Sequence, residues 1–134
     1  MIVSYANAVG AVKGYPYCFR MASVGDVQGW IMAYHAVEKR GYKNFALFIQ
    51  DEEYGRGLGN GMVKGLEKWG GNIVCKKFFQ PAEKEFRSYL TEAKALNPDA
   101  VFVSGFGPAL SALAMQGYDI GLFPKNKKAQ FYGG

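Results

Sequence analysis

The hydrophobic pattern of this chain repeats a unit of one strand followed by one helix. Short apolar runs bounded by turn residues predict strands over residues 45–50, 72–79, 100–104 and 129–132. Their starting positions are evenly spaced, about 28 residues apart. Such spacing is typical of βα units, in which each helix returns the chain to a neighbouring parallel strand by a right-handed crossover.

Helical periodicity predicts helices over residues 26–40, 55–69, 83–96 and 109–116. In the first helix, large apolar residues recur at the i, i+3, i+4 and i+7 positions, which predicts a stripe that packs on the core. This stripe consists of Val27, Trp30, Ile31, Tyr34 and Val37.

These elements predict an α/β fold, a three-layer sandwich with a parallel, Rossmann-like sheet. The opening of the chain stands apart from the repeat. Residues 2–5 form a short strand-like run, and Pro16 disfavours helix at Tyr15, so residues 15–20 are expected to be extended. This opening is typical of a segment that arrives from another part of a larger structure.

Composition and charge narrow the class of protein. A chain of 134 residues suits one domain, and a hydrophobic fraction of 49% is enough for a core. The net charge is +5, but no basic stripe interleaved with aromatic residues occurs, so nucleic acid is not an expected partner. The sequence shows no secretory signal and no long apolar run, which leaves open a cytosolic protein or a piece of a longer exported one.

Cysteine and histidine usage points to no metal or disulfide chemistry. Cys18 and Cys75 are too few for a disulfide framework, and we expect two buried thiols. His35 is the only histidine, with no partner at metal-ligand spacing, so a structural or surface role is expected.

The glycines at positions 55, 57, 59 and 61 follow a strand and open a helix, as a phosphate-binding loop does. Their spacing is GxGxG instead of GxGxxG, and no Gly-Lys-Ser/Thr follows. We therefore predict no nucleotide cofactor, and expect small residues that let the helix pack close to its sheet. Residues 51–53 are acidic but are paired with no nucleophile, so an enzyme is not predicted.

The candidate site lies in the loops after the strands, because ligands of open α/β sheets bind at the carboxyl ends of the strands. Asp51 and Tyr54 are expected to face a ligand. Phe106 is flanked by Gly105 and Gly107, whose backbone amides, with that of Phe106, could hold an anion. Phe78 and Phe79 fit core and pocket wall equally well.

An ordered set of motifs resembles a known family. The chain is similar to the type I periplasmic solute-binding proteins of ABC importers, in the branched-chain amino acid (Leu/Ile/Val) group. The motifs are YPYCFR at 15–20, DVQG at 26–29, DEEYGRG at 51–57, Gly70-Gly71, Phe86, NPDAV at 97–101, Gln116 and Gly121-Leu122.

The resemblance implies two α/β lobes joined by crossing strands, with the ligand in the cleft between them. Residues 1–17 would be the end of the first lobe and the segment leading into the hinge, and residues 18–134 the second lobe. The rest of the first lobe is then expected outside this sequence. An exposed cleft face would also allow the isolated lobe to form a homodimer.

The resemblance also implies site residues. Tyr54 would cover the ligand with its ring, and Phe106 with Gly105 would lie in the loop of the third strand. Ser4 and Asn7 stand where first-lobe groups grip a carboxylate. An acidic residue for the ligand amine is expected just beyond Gly134.

The function implied is that of a solute receptor outside the cytoplasm, in the periplasm of a bacterium. It would bind a small amino acid or related carboxylate by hinge closure and pass it to an ABC permease in the membrane. Two alternatives remain: a ligand-sensing lobe of a receptor or regulator, and a cytosolic flavodoxin-like nucleotide-binding enzyme domain.

Overall fold

The computed structural model describes residues 1–4, 10, 12–123 and 130–133, with only the backbone of 2–4 and 130–133. The described chain contains six strands and four helices. The strands are β1 (Ile2–Ser4), β2 (Cys18–Arg20), β3 (Asn44–Gln50), β4 (Asn72–Phe79), β5 (Ala100–Ser104) and β6 (Gln130–Gly133). The helices are α1 (Gly25–Tyr34), α2 (Glu53–Trp69), α3 (Arg87–Ala95) and α4 (Pro108–Asp119). A π-helical turn, His35–Lys39, extends α1.

Four strands form the central sheet in the order β4-β3-β5-β6, and every pair is parallel. Phe45 of β3 lies between Ile73 of β4 and Ala100 of β5. Helices cover both faces, so the predicted α/β fold with a parallel sheet is confirmed. The carboxyl ends of β3, β4 and β5 consequently share one edge, which carries the candidate site.

A second, two-stranded sheet consists of β1 and β2, also parallel, with Ile2 opposite Cys18. Only residues 18–20 of the predicted extended segment 15–20 are a strand. Turns precede it, and the amide of Cys18 donates to the carbonyl of Tyr15. The expected extension was therefore too long by about one turn.

The two faces of the central sheet are packed differently. On the α3/α4 face, large side chains fill the core, and the rings of Phe79 and Phe86 meet edge to face with centroids 5.2 Å apart. On the α1/α2 face, Phe45, Leu47 and Ile49 of β3 pack under α2. Because β3 is central, its side chains are buried on both faces, which explains its unbroken apolar sequence.

The contact between α1 and α2 runs through small residues, which we call the glycine seam: Gly29 and Ala33 of α1, and Gly61 and Gly65 of α2. A Cβ on Gly61 would overlap the backbone carbonyl of Asp26, and one on Gly29 would overlap that of Leu58. The two helices therefore touch backbone to backbone.

This close contact overturns one expectation. The large apolar residues of α1 were predicted to pack on the core, but four of them are 37–53% exposed: Val27, Trp30, Ile31 and Tyr34. The buried face is Gly25, Gly29 and Ala33, followed by Ala36 in the π-helical turn. Only small residues permit the short distance between the helices, so the large residues lie beside the contact. The rings of Trp30 and Tyr34 pack on Trp69 of α2, with centroids 4.4 and 5.2 Å apart, and Val27 and Ile31 face outward.

The largest differences from the predicted helix boundaries are at the start of α3 and the end of α4. Helix α3 begins at Arg87 instead of residue 83, because other bonds hold the preceding backbone. The amide of Phe86 donates to Gln116 Oε1 at 2.7 Å, and the amide of Gln80 donates to the Glu83 carboxylate at 3.2 Å. Helix α4 is longer than predicted and runs to Asp119.

The two cysteines differ in environment. Cys75 is buried as expected, and its burial raises the pKa of its thiol. Cys18 is only partly buried, so that half of the prediction was wrong. Both are free thiols.

A candidate ligand site at the carboxyl edge of the sheet

Two aromatic rings from different loops meet at the carboxyl edge of the sheet. Tyr54 lies in the first turn of α2, and Phe106 lies in the loop between β5 and α4. Their rings are stacked, with centroids 4.1 Å apart and planes inclined by 18°. Phe106 is 56% exposed, so the pair presents an aromatic surface to the outside.

The start of α2 fixes Tyr54. Glu52 is the N-cap residue, and its carboxylate accepts a hydrogen bond from the Gly55 amide at 3.0 Å. Burial raises the pKa of the Tyr54 phenol, and the nearby Glu52 carboxylate adds to this shift. The phenol is therefore neutral at physiological pH and can donate a hydrogen bond.

The loop that carries Phe106 is tied to β3. The Phe106 amide donates to Gln50 Oε1 at 2.6 Å, and Gln50 is almost fully buried. This bond corrects one expectation, because the Phe106 amide is occupied and cannot serve as a free anion donor. Gly105 and Gly107 have positive φ angles of 156° and 70°, which favour glycine at both positions.

Asp51 lies beside the aromatic pair but is bound within the protein. Arg56 contacts its Oδ1 through Nη2 at 2.6 Å and Nε at 2.7 Å, and Gln80 Nε2 contacts its Oδ2 at 3.3 Å. The hydrogen bond and the charge of Arg56 hold the pKa of the Asp51 carboxyl below its ordinary value, against a smaller effect of burial.

A cavity of about 490 Å³ opens next to this ion pair, lined by Asp51, Arg56, Asn60 and Phe78. Tyr54 and Phe106 are not among its lining residues. Phe78 is half exposed in this wall, whereas Phe79 points to the opposite face and is buried in the core. Of the two positions that the sequence left open between core and pocket wall, Phe79 is therefore core and Phe78 lines the cavity.

For the remaining predicted residues, Ser4 and Asn7, the structure describes no side-chain position. Ser4 ends β1, where its backbone is paired with that of Arg20 in β2. Asn7 lies outside the described residues.

Sequence reasoning missed three contributors to the site: Gln50, Ser104 and Arg56. Gln50 and Ser104 are polar residues that each end a buried apolar strand, and this position was the available signal. Arg56 lies five residues after Asp51, within reach across the start of α2.

Among the residues that the structure describes, no group of three His, Cys, Asp or Glu side chains could hold a metal ion. No helix in residues 12–123 is long and apolar enough to cross a bilayer.

Comparison with known proteins places this architecture in a family. A family model described as "Periplasmic binding protein" matches residues 1–133. The Leu/Ile/Val/Thr-binding protein of Salmonella typhimurium is 29% identical over 121 residues, which cover 90% of this chain and 32% of that protein. The chain thus spans about a third of the length of the curated relatives it matches.

Solved structures show the same fold. A leucine binding protein from Thermotoga maritima superposes with a TM-score of 0.86 at 24% identity, over 98% of this chain and 36% of that one. An ABC-transporter solute binding protein from R. palustris, in complex with 4-hydroxybenzoate, gives a TM-score of 0.84 at 20% identity, over 98% and 35% of the two chains. With the family model covering nearly every residue, this chain belongs to the periplasmic binding protein family.

Proposed function

We propose that this chain is the second lobe of a two-lobed solute receptor outside the cytoplasm, which binds a small amino acid or related carboxylate and delivers it to an ABC permease. The observation that carries the proposal is the stacked pair of Tyr54 and Phe106 at the carboxyl edge of the sheet. Ligand sites of open α/β sheets lie at this edge, and an exposed aromatic surface there is one wall of a pocket.

The division into lobes is supported by the small sheet at the start of the chain. Among the described residues, β1 and β2 pair only with each other, and turns within residues 12–17 precede β2. We place the end of the first lobe and the segment leading into the hinge in residues 1–17, and the second lobe in residues 18–134. Closure about such crossing strands is a rigid-body motion that buries the ligand between the lobes.

The ligand class is supported by the shape of the site and by the named relatives. The relatives include proteins that bind leucine, isoleucine and valine, and one in complex with 4-hydroxybenzoate. All of these ligands combine a carboxylate with an apolar body. The Tyr54–Phe106 surface suits the apolar body, and we assign the carboxylate to first-lobe groups near Ser4 and Asn7.

The test is calorimetric titration of the two-lobed parent protein with leucine, isoleucine and 4-hydroxybenzoate. We expect at least one of these to bind, and Tyr54→Ala to weaken that binding by at least about tenfold, or roughly 1.4 kcal/mol. Small-angle scattering of the parent should show compaction when the same ligand is added.

Tyr118→Ala is the matched control, because Tyr118 is a half-exposed tyrosine on α4. Its substitution should leave the affinity unchanged. Equal losses in the two variants, or a parent that neither binds nor compacts with any of the three solutes, would contradict the proposal.

A further inference from the structure

Among the described residues, two polar side chains are buried: Gln50, which is 4% exposed, and Ser104, which is 0% exposed. Burying an amide or a hydroxyl costs free energy unless a hydrogen bond compensates. Both occupy the last position of a core strand, Gln50 in β3 and Ser104 in β5. An apolar residue at either position would extend the core without that cost.

Each of the two side chains bonds to a backbone atom of the candidate site. Gln50 Oε1 accepts from the amide of Phe106 at 2.6 Å. The Ser104 hydroxyl donates to the carbonyl of Gly55, the residue after Tyr54, at 2.9 Å. The side chain at the end of β3 therefore holds the loop that follows β5. The side chain at the end of β5 holds the start of α2, which follows β3.

Two glycines make room for this arrangement. A Cβ on Gly105 would overlap the side-chain amide of Gln50, and a Cβ on Gly55 would overlap the backbone carbonyl of Gln50. The backbone therefore approaches Gln50 closely on both sides. Gln50 therefore fixes the position of the two segments that carry the aromatic rings.

We propose that Gln50 and Ser104 are positioning residues that set the Tyr54–Phe106 stack before a ligand arrives. They act through the backbone of the two loops and do not touch the ligand. A surface that is already ordered loses less conformational freedom on binding, which raises affinity. The effect on ligand affinity rests on the proposed function, whereas the positioning of the two rings is a property of this chain alone.

The test uses this chain and two NMR measurements. One is the hydrogen-exchange rate of the Phe106 amide, and the other is the upfield shift that the Phe106 ring imposes on the Tyr54 ring protons. Gln50→Met removes the acceptor at nearly constant size, and we expect at least about tenfold faster exchange at Phe106 and loss of the Tyr54 shift. Amides of β3 that lie within the sheet should keep their rates.

Gln50→Glu keeps an acceptor oxygen at this position. We expect it to keep the slow exchange of the Phe106 amide and the upfield shift of the Tyr54 ring protons. Ser104→Ala should move the Tyr54 signals while leaving the Phe106 amide protected. Gln80→Met is the control, since Gln80 also follows a strand but is exposed and bonds to Asp51. It should change neither measurement.

The proposal is overturned if folded Gln50→Met keeps the Phe106 protection and the Tyr54 shift. It is also overturned if exchange accelerates equally throughout β3 and α2, because Gln50 would then support the core in general. Should Gln50→Met not fold, the Ser104→Ala spectra decide: unmoved Tyr54 signals refute the proposal, and moved ones support it.

A ligand measurement separates this inference from the proposed function. If the two-lobed parent binds leucine or 4-hydroxybenzoate, Gln50→Met should weaken that binding while Gln80→Met does not. A parent that binds neither would count against the proposed function, and the exchange result on the isolated chain would still stand.

Discussion

The contact between α1 and α2 and the core under α3 and α4 are packed in opposite ways. On the α1/α2 face, helices meet through the glycine seam, where main chain touches main chain. On the α3/α4 face, large side chains such as Phe79, Phe86, Leu90 and Leu113 fill the space between helix and sheet. Within the seam the contact is made by backbone atoms, which cannot adopt another rotamer, whereas the side chains of the α3/α4 face can rearrange. The glycine seam should therefore tolerate added atoms far less than the side-chain core tolerates a changed shape.

The largest expected effect is that of one methyl group in the glycine seam. Gly61→Ala places a Cβ on the carbonyl of Asp26, and the helices must separate to accept it. We expect a loss of about 3 kcal/mol in the free energy of unfolding. Urea denaturation followed by circular dichroism measures it.

Gly57→Ala is the matched control in the same helix, because a Cβ there meets nothing within 4 Å. Alanine is the better helix former, so this variant should gain up to about 1 kcal/mol. Similar changes in the two variants would contradict the role of the close contact, because only the Cβ at position 61 meets the facing helix.

A smaller effect is expected from a change of shape on the opposite face. Phe86 is fully buried and meets Phe79 edge to face. Phe86→Leu keeps most of the apolar volume, and neighbouring rotamers can adjust, so we expect a loss of about 1.5 kcal/mol or less. Urea denaturation of Phe86→Leu and Gly61→Ala under the same conditions compares the two. A larger loss of unfolding free energy in Phe86→Leu would contradict the expected order.

A still smaller effect is expected on the outward stripe of α1. Ile31 is 53% exposed, so Ile31→Gln should change the free energy of unfolding by no more than about 0.5 kcal/mol. Leu66→Gln on the facing helix is the buried counterpart, and it should cost about 2 kcal/mol or more because the amide is left without water. Equal losses would mean that the stripe of α1 packs on the core after all.

The smallest effect is expected at the exposed ion pair at the start of α2. Because Arg56 lowers the pKa of Asp51, the pair stabilises the fold above the ordinary aspartate pKa, and this contribution is lost as the pH falls through the lowered value. In Arg56→Gln the Asp51 pKa should rise towards its ordinary value, as carbon-13 NMR titration of the carboxyl group would show. Arg87→Gln, which breaks a longer surface pair with Asp119, should leave the Asp51 titration unchanged.

The strands could be predicted from the sequence because a strand that is buried on both faces has an unbroken apolar sequence, as in residues 45–50. The orientation of α1 could not be predicted from the sequence. Its sequence holds two stripes at helical spacing, a large one through Trp30 and a small one through Gly29 and Ala33. Periodicity favours the large stripe, and only the partner glycines on α2 decide for the small one.

The same distinction applies to the candidate site. The position of Tyr54 and Phe106 at one edge of the sheet could be predicted, since each follows a strand and the edge they share is a property of the fold. The roles of Gln50 and Ser104 could not, because each bond joins residues about 50 positions apart. Such pairs exist only once β3 and β5 are neighbours in the sheet.

The bond from Gln50 to the loop has a consequence for how this site can evolve. It is made to the amide of residue 106 and not to its ring, so any residue except proline at that position could keep it. The side chain that faces outward is thereby free to vary while the loop stays in place. Under the proposed function, a change of solute preference would need only a substitution at position 106, and the backbone that presents this residue would stay as it is.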